Sequence, residues 1–148
     1  MGIRLPGGTT TPFHFGSKLN GDLANCDGND PYGTYTKGAY KAMTVEVGTY
    51  PANPWGLYDM LHGNVWEWCR DWYGPYALGE QTDPIQLKKQ SEDNRRIVRG
   101  CSWKLSARHC RSAHRNAFLP GQRFDDFGFR VCFHLDSTTP RGVLDRDW

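Results

Sequence analysis

The sequence lacks any apolar run as long as a membrane-spanning helix, any CxxC pair, any HExxH spacing, and any sizeable charge imbalance over its 148 residues. Each absence removes a class of function. Without an uninterrupted stretch of about 20 apolar residues there is no helical membrane span. Five cysteines (Cys26, Cys69, Cys101, Cys110, Cys132) leave at least one unpaired and follow no zinc-ribbon or thioredoxin spacing. The histidines at 14, 62, 109, 114 and 134 never fall at the spacing of a zinc helix, so surface or partner-contact roles are expected for them. With 18 Lys and Arg against 16 Asp and Glu, the net charge of +2 gives no electrostatic reason to invoke nucleic acid or a membrane surface. Residues 1–15 contain no apolar core of a signal peptide, so export to a cell or virion surface would need another route, and the compartment stays open.

What is abundant is aromatic and turn-forming. Aromatics make up 14% of the chain, with six Trp and seven Tyr, and 17 Gly and nine Pro punctuate it. Such a composition favours short strands and ordered loops over a helical bundle. With 38% apolar residues the length suits one domain with its own core, here residues 1–135 followed by a C-terminal tail over 136–148.

Residues 7–38 are rich in Gly, Thr, Asn and Asp and read as ordered loop. Residues 44–47 alternate weakly, as a short strand would. From 63 to 73 the chain places Trp66, Trp68 and Trp72 on even positions, the signature of a strand face. Residues 83–95 are polar and read as an exposed excursion with a helical turn. A second strand is expected over 96–100 and a third over 128–133, where Phe129, Val131 and Phe133 alternate with Arg130 and Cys132. Eight arginines (95, 96, 99, 108, 111, 115, 123 and 130) crowd the C-terminal half. They are expected to form structural ion pairs with carboxylates, for which the guanidinium fork is suited, rather than a phosphate-binding surface.

The segments Gly56-Leu57-Tyr58-Asp59-Met60, Gly63-Asn64-Val65-Trp66-Glu67-Trp68, Val98-Arg99-Gly100, Ser102-Trp103 and Gly128-Phe129-Arg130-Val131, in that order, resemble the formylglycine-generating enzyme, or sulfatase-modifying factor, family. The resemblance covers roughly residues 5 to 133 and implies an α+β class with a C-type-lectin-like fold: a small twisted antiparallel sheet, little helix and long ordered loops. Against the family pattern the N-terminal half is missing, so a reduced version of the domain is expected.

The resemblance also implies sites. Enzymes of the family bind copper through two cysteines five positions apart, because soft thiolates favour Cu(I). Cys110 matches the second, but Leu105 stands at the first, and Ser102 matches a serine of the active region. Cys101, nine residues before Cys110, stands where a glycine is usual and could join it only through a rebuilt loop. Asn64 and Glu67 fall in a region that contributes calcium ligands in relatives. Read on their own, Asn64 would close a tight turn and Glu67 would pair with an arginine.

Between Trp103 and Gly128 a skeleton of Arg108, Arg111-Ser112-Ala113, Arg115, Pro120 and Arg123 resembles the family. The gaps are filled by Leu105, Ser106, His109, His114, Asn116, Ala117, Phe118, Leu119, Gly121, Phe124, Asp125, Asp126 and Phe127. This arrangement resembles the variable proteins of diversity-generating retroelements, in which the adenines of Asn codons are randomised. Such randomisation cannot produce Lys, Glu, Gln, Trp or Met, and none of the gap residues is one of these. The expectation is a ligand-binding protein that needs no cofactor and displays residues 105–127 to a protein or cell-surface ligand. The alternatives are a copper-dependent formylglycine-generating oxidase, with Cys110 and Ser102 as its catalytic residues, and a non-catalytic module of the family.

Overall fold

Alternation of Trp66, Trp68 and Trp72 with Glu67, Cys69 and Asp71 generates the longest strand, β1 (Trp66–Trp72), in a computed structural model of the chain. The structure describes residues 10–59, 62–76, 78–79, 85–87, 89, 92 and 94–131. Three further strands follow, β2 (Arg96–Arg99), β3 (Asn116–Phe118) and β4 (Phe127–Phe129), with one 3-10 turn, Ala107–Cys110, between β2 and β3. They form one sheet in the order β3-β2-β1-β4. Little helix, a small sheet and long loops held by aromatics are the architecture that the motifs implied.

The sheet is mixed rather than antiparallel. β1 and β2 pair antiparallel, Trp68 opposite Val98, with an irregularity before Trp72 meets Arg96. β2 and β3 also pair antiparallel, Ile97 opposite Ala117. β4 runs parallel to β1, Trp66 opposite Phe127 and Trp68 opposite Phe129. The reason lies in β3, three residues inside a stretch that reads as loop. It places the chain at one edge of the sheet, and residues 119–126 must then cross to the opposite edge, where β4 starts in the direction of β1. The strand expected over 128–133 accordingly begins at Phe127; Cys132 and Phe133 lie outside the described residues, as do positions 83, 84, 88, 90, 91 and 93 of the polar excursion and the tail 136–148.

Residues 44–47 form no strand. The side-chain amide of Asn64 takes the place of a strand partner: Val45 N–H donates to Asn64 Oδ1 at 3.0 Å and Asn64 Nδ2 donates to the Val45 carbonyl at 3.2 Å. Asn64 itself sits at φ +67° after Gly63 at φ +97°. A Cβ on Gly63 would stand 2.2 Å from the Asn25 carbonyl oxygen, so the approach of these two segments requires glycine.

The main core lies beside the sheet, among loops. Phe13, Leu19, Ala24, Cys26, Cys101, Ala107 and Cys110 are buried together, with Phe15, Tyr32 and Leu105 packed against them. Phe13 stacks on Phe15 and meets Tyr32 edge-on at 5.7 Å. His62 is also inside: it faces Phe13 at 5.5 Å and stacks on His14, while its Nδ1 hydrogen-bonds the Cys110 carbonyl at 2.8 Å. Its Nε2 accepts from His14 N–H at 3.3 Å, and this corrects the expectation of a surface role for His62, because an imidazole with both nitrogens satisfied packs as an aromatic ring. A smaller core of Trp66, Val98, Ile97 and Ala117 belongs to the sheet.

Among the described residues the arginines meet the expectation of carboxylate pairing in part. Arg130 pairs bidentately with Glu67, Nη2 to Oε1 at 2.7 Å. Others use rings and carbonyls: Arg96 lies over Trp72 at 3.6 Å and Arg115 over Tyr76 at 3.9 Å, while Arg115 also donates to the Gly74 carbonyl. Aromatic faces are the abundant partners in this sequence, and a stacked guanidinium still keeps its donors for backbone oxygens.

Truncating Phe13, which belongs to no strand or helix, is expected to destabilise the fold as much as truncating Trp66 in the central strand. For Phe13→Ala and Trp66→Ala alike the loss should be about 3–5 kcal/mol, read from urea unfolding midpoints. A Phe13→Ala loss under about 1 kcal/mol would place the core in the sheet alone.

Candidate binding surface

The segment after β2 is shaped by backbone bonds to the N-terminal loops. Asp27 N–H donates to the Leu105 carbonyl at 2.9 Å, Ala107 N–H to the Asp30 carbonyl at 3.1 Å, and Ser112 N–H to the Pro12 carbonyl at 2.9 Å. These bonds press Leu105 against the core, and the turn that follows buries Ala107 and Cys110. His109 and His114 then meet edge to face at 4.9 Å, and His114 lies 5.8 Å from the ring of buried Trp66. Arg99 donates to the His114 carbonyl and fixes that bend.

The second segment crosses the sheet with its rings downward. Phe127 contacts Trp68 at 5.4 Å, Phe118 meets Phe127 at 4.9 Å, and Phe124 closes the trio at 4.9 Å from Phe127. Trp66 and Trp68, two apart on β1, thus floor both segments. Lys104 joins them at the rim by pairing with Asp125, and it reaches Asp126 at 3.9 Å. Their hydrogen bond raises the Lys104 ammonium pKa and lowers that of the Asp125 carboxyl. Lys104 belongs to neither the skeleton nor the gaps, and nothing in sequence spacing could pair it with a residue 21 positions on.

The thirteen gap residues divide by depth. Asn116, Leu119, Gly121, Phe124 and Asp125 are exposed, with Leu119 at 50% and Phe124 at 46%. Leu105, Ser106, His109, His114, Phe118 and Phe127 are half-buried beneath or beside them. Ala117 and Asp126 are buried, which removes them from any contact surface. Ala117 points into the sheet core opposite Ile97, and the Asp126 carbonyl accepts the first hydrogen bond of β1, from Trp66 N–H at 2.8 Å. Neither a cavity of about 330 Å³ beside Asn64 and Glu67 nor an open groove of about 880 Å³ along Lys18 and residues 30–37 is lined by any of the thirteen.

The residues that the motifs suggested for metals are otherwise engaged. Asn64 Oδ1 accepts from Asn25 Nδ2 at 3.0 Å and from Val45 N–H, and both Glu67 oxygens are held by Arg130. This donor set does not fit calcium, which needs those oxygens for itself. For copper, the Leu105 side chain offers no ligand. Cys110 is fully buried, and desolvation pushes its thiol pKa well up, with contacts to Cys101 and Cys26 adding to the shift. Ser102 is fully buried as well, and its Oγ accepts from Lys104 N–H at 3.4 Å. Among the described residues no group of three His, Cys, Asp or Glu side chains is arranged to hold a metal ion.

The sulfatase-modifying factor enzyme 1-like domain matches residues 7–135. The chain belongs to that family. It is 42% identical over 99 residues to a serine/threonine-protein kinase pkn1 of Chlamydia pneumoniae, covering 66% of this chain and 16% of that protein. It is 32% identical over 99 residues to the formylglycine-generating enzyme of Bos taurus, covering 64% of this chain and 26% of the enzyme. Among solved structures it is similar to Treponema denticola variable protein 1, with a TM-score of 0.54 at 33% identity over 66% of this chain and 38% of that one. The family member studied here therefore spans only a minor part of these relatives. Among the described residues no helix is long and apolar enough to cross a membrane.

Burial lowers the pKa of His114 to about 4, with His109, Arg111 and Arg99 adding repulsion. Burial also lowers His14 and His109. The unfolded chain takes up these protons near the ordinary value of 6.5 while the folded chain resists, so acid favours unfolding. Stability is expected to hold above pH 6.5 and to fall as the pH drops toward 4; His114→Gln should flatten that decline. An unchanged pH profile of the urea midpoint in the variant would show that His114 is solvated.

Proposed function

We propose that this domain is a binding protein, not an oxidase, and that its exposed gap residues form a diversified surface for a protein or cell-surface ligand. The observation that carries the reading is the contrast between a fixed floor and an exposed rim. Trp66 is buried and Trp68 half-buried, packed against His114 and Phe127, while Asn116, Leu119, Gly121, Phe124 and Asp125 project beyond them, Phe124 edged against Phe118 and Phe127 and Asp125 paired with Lys104. Substitution at the rim would leave the core intact, which is what a randomised surface demands. An exposed Phe and Leu that line neither of these two hollows suit a macromolecular partner better than a small molecule, which calls for a concave site. The likeness to a variable protein supports the same reading. Rigidity favours it too, because a surface ordered before contact loses less entropy on binding.

An oxidase of the formylglycine-generating kind is the alternative, supported by relatives of that name. It is disfavoured by an apolar Leu105 turned to the core and by a Cys110 thiol kept protonated. Sequencing the DNA around the coding region separates the readings. The binding reading expects a near-copy of the segment for residues 105–127, with adenines at the gap codons, beside a reverse-transcriptase gene. Sub-micromolar binding of one Cu(I) with oxidation of a cysteine peptide would instead establish the oxidase.

The division by depth also sets the cost of substitutions. Leu119→Ser and Phe124→Ala are expected to move the melting temperature by no more than about 2 °C, since exposed substitutions fall within about 0.5 kcal/mol. Phe127→Ala, under the aromatic cluster, should cost about 2–3 kcal/mol, less than a fully buried ring. Equal losses at Phe124 and Phe127 would mean that the rim is part of the core.

A further inference from the structure

The cavity of about 330 Å³ beside Asn64 and Glu67 is walled by Val47, Asp59, residues 63–65, Glu67 and residues 129–131. These come from an N-terminal loop, the approach to β1, β1 itself and the end of β4. Its volume is at the lower end of the range for small-ligand sites, about 300–1,000 Å³.

Three charged side chains line it, and they do not cancel. Arg130 is committed to Glu67, holding its oxygens from Nε at 3.2 Å and from Nη2 at 2.7 Å, and its Nη2 also donates to the Tyr58 carbonyl at 3.0 Å. Asp59 is left over. Its Oδ2 accepts from Gly48 N–H at 3.0 Å, but among the described residues Oδ1 accepts no hydrogen bond and no cation pairs with the carboxylate. The wall thus carries one uncompensated negative charge. Around it stand apolar side chains open to water: Val47, Phe129 and Val131 are 69%, 76% and 64% exposed. Apolar groups left open together around a hollow mark an interaction site, whereas scattered ones need no explanation.

This combination selects a ligand by charge. Calcium calls for about six to eight oxygens, yet Asn64 Oδ1 is taken by Asn25 and Val45 and both Glu67 oxygens by Arg130. An anion would meet Asp59 with the cavity's arginine already paired. A single ammonium on a hydrocarbon stem matches both parts of the wall, with N–H donors for Asp59 Oδ1 and carbons for the apolar rim.

We propose that this cavity binds an alkylammonium group, its nitrogen on Asp59 and its stem among Val47, Phe129 and Val131. Small amines carry such a group, and so do the lysine side chains of a partner protein. The site is independent of the diversified surface, since none of the thirteen gap residues lines it and either can fail alone.

The test follows the amide signals of the full chain by NMR at about pH 7, where amines are charged. Hexylammonium chloride or N-acetyl-lysine methylamide is added against sodium chloride at matched ionic strength. Amides at residues 47, 59, 63–65, 67 and 129–131 are expected to shift together and to saturate in the millimolar range, while hexanol and sodium hexanoate give no saturable shift. Asp59 has φ +51°, which asparagine also tolerates. Asp59→Asn keeps an oxygen for Gly48 N–H, so it should fold as the parent does and bind both amines about tenfold more weakly. Phe129→Ala, at an exposed position, should weaken hexylammonium binding and leave the melting temperature within about 2 °C. Tighter binding of the lysine compound would assign the site to a protein side chain, and tighter binding of hexylammonium to a small amine. The proposal is overturned if neither amine gives a saturable shift at these residues, if hexanol binds as well as hexylammonium, or if Asp59→Asn leaves the affinity unchanged.

Discussion

The side chain of Asn64 is the joint on which the described structure depends. Its backbone N–H donates to the Asn25 carbonyl at 2.8 Å, its carbonyl accepts from Trp103 N–H at 3.1 Å, and its amide binds both polar groups of Val45 and the amide of Asn25. Three stretches of chain that share no strand, at Asn25, Val45 and Trp103, are thereby held at the start of β1. Each of these groups is buried or nearly so, and each would be costly to leave without a partner. The left-handed φ of Asn64, the glycine before it and the close approach of Asn25 are one constraint seen from three sides.

That joint explains why so little regular structure suffices. With four short strands, the fold satisfies its loop backbones by side chains and by bonds between loops, and it places its largest core among them. The candidate surface inherits this economy. Its floor is β1, its bends are fixed by Arg99 and by backbone bonds with residues 12, 27 and 30, and its rim is tied down only by the Lys104–Asp125 pair and by the packing of Phe124. Binding function and fold are separated by depth instead of by sequence position.

Much of this was legible beforehand, for physical reasons that differ by residue. The strand at Trp66–Trp72 could be read because period-two alternation of large rings has one solution. The family motifs carried the fold class, and the gap residues Asn116, Leu119, Gly121, Phe124 and Asp125 do lie exposed. Other features were not legible. β3 is three residues long with a polar first member, too short to show a period. The parallel direction of β4 follows from where β3 ends, which no local pattern encodes. Ala117 and Asp126 looked interchangeable with their neighbours, yet one is a core alanine and the other supplies a carbonyl to β1. His62 read as a surface histidine because sequence cannot tell an imidazole against water from one stacked on His14.

The sequence alone determined the composition of the contest: aromatics, turns and a family skeleton sufficient to dictate a loop-rich domain with a tryptophan strand at its centre, and a leucine where a copper ligand would stand. Tertiary structure decided which of those residues meet. Leu105 turns inward where a backbone bond from the distant Asp27 holds its carbonyl, and it packs there against the main core. Lys104 finds Asp125 across a crossing that exists only once the sheet is built. Local patterns encode periodicity and turn chemistry, whereas contacts between residues far apart in sequence depend on the whole fold closing at once.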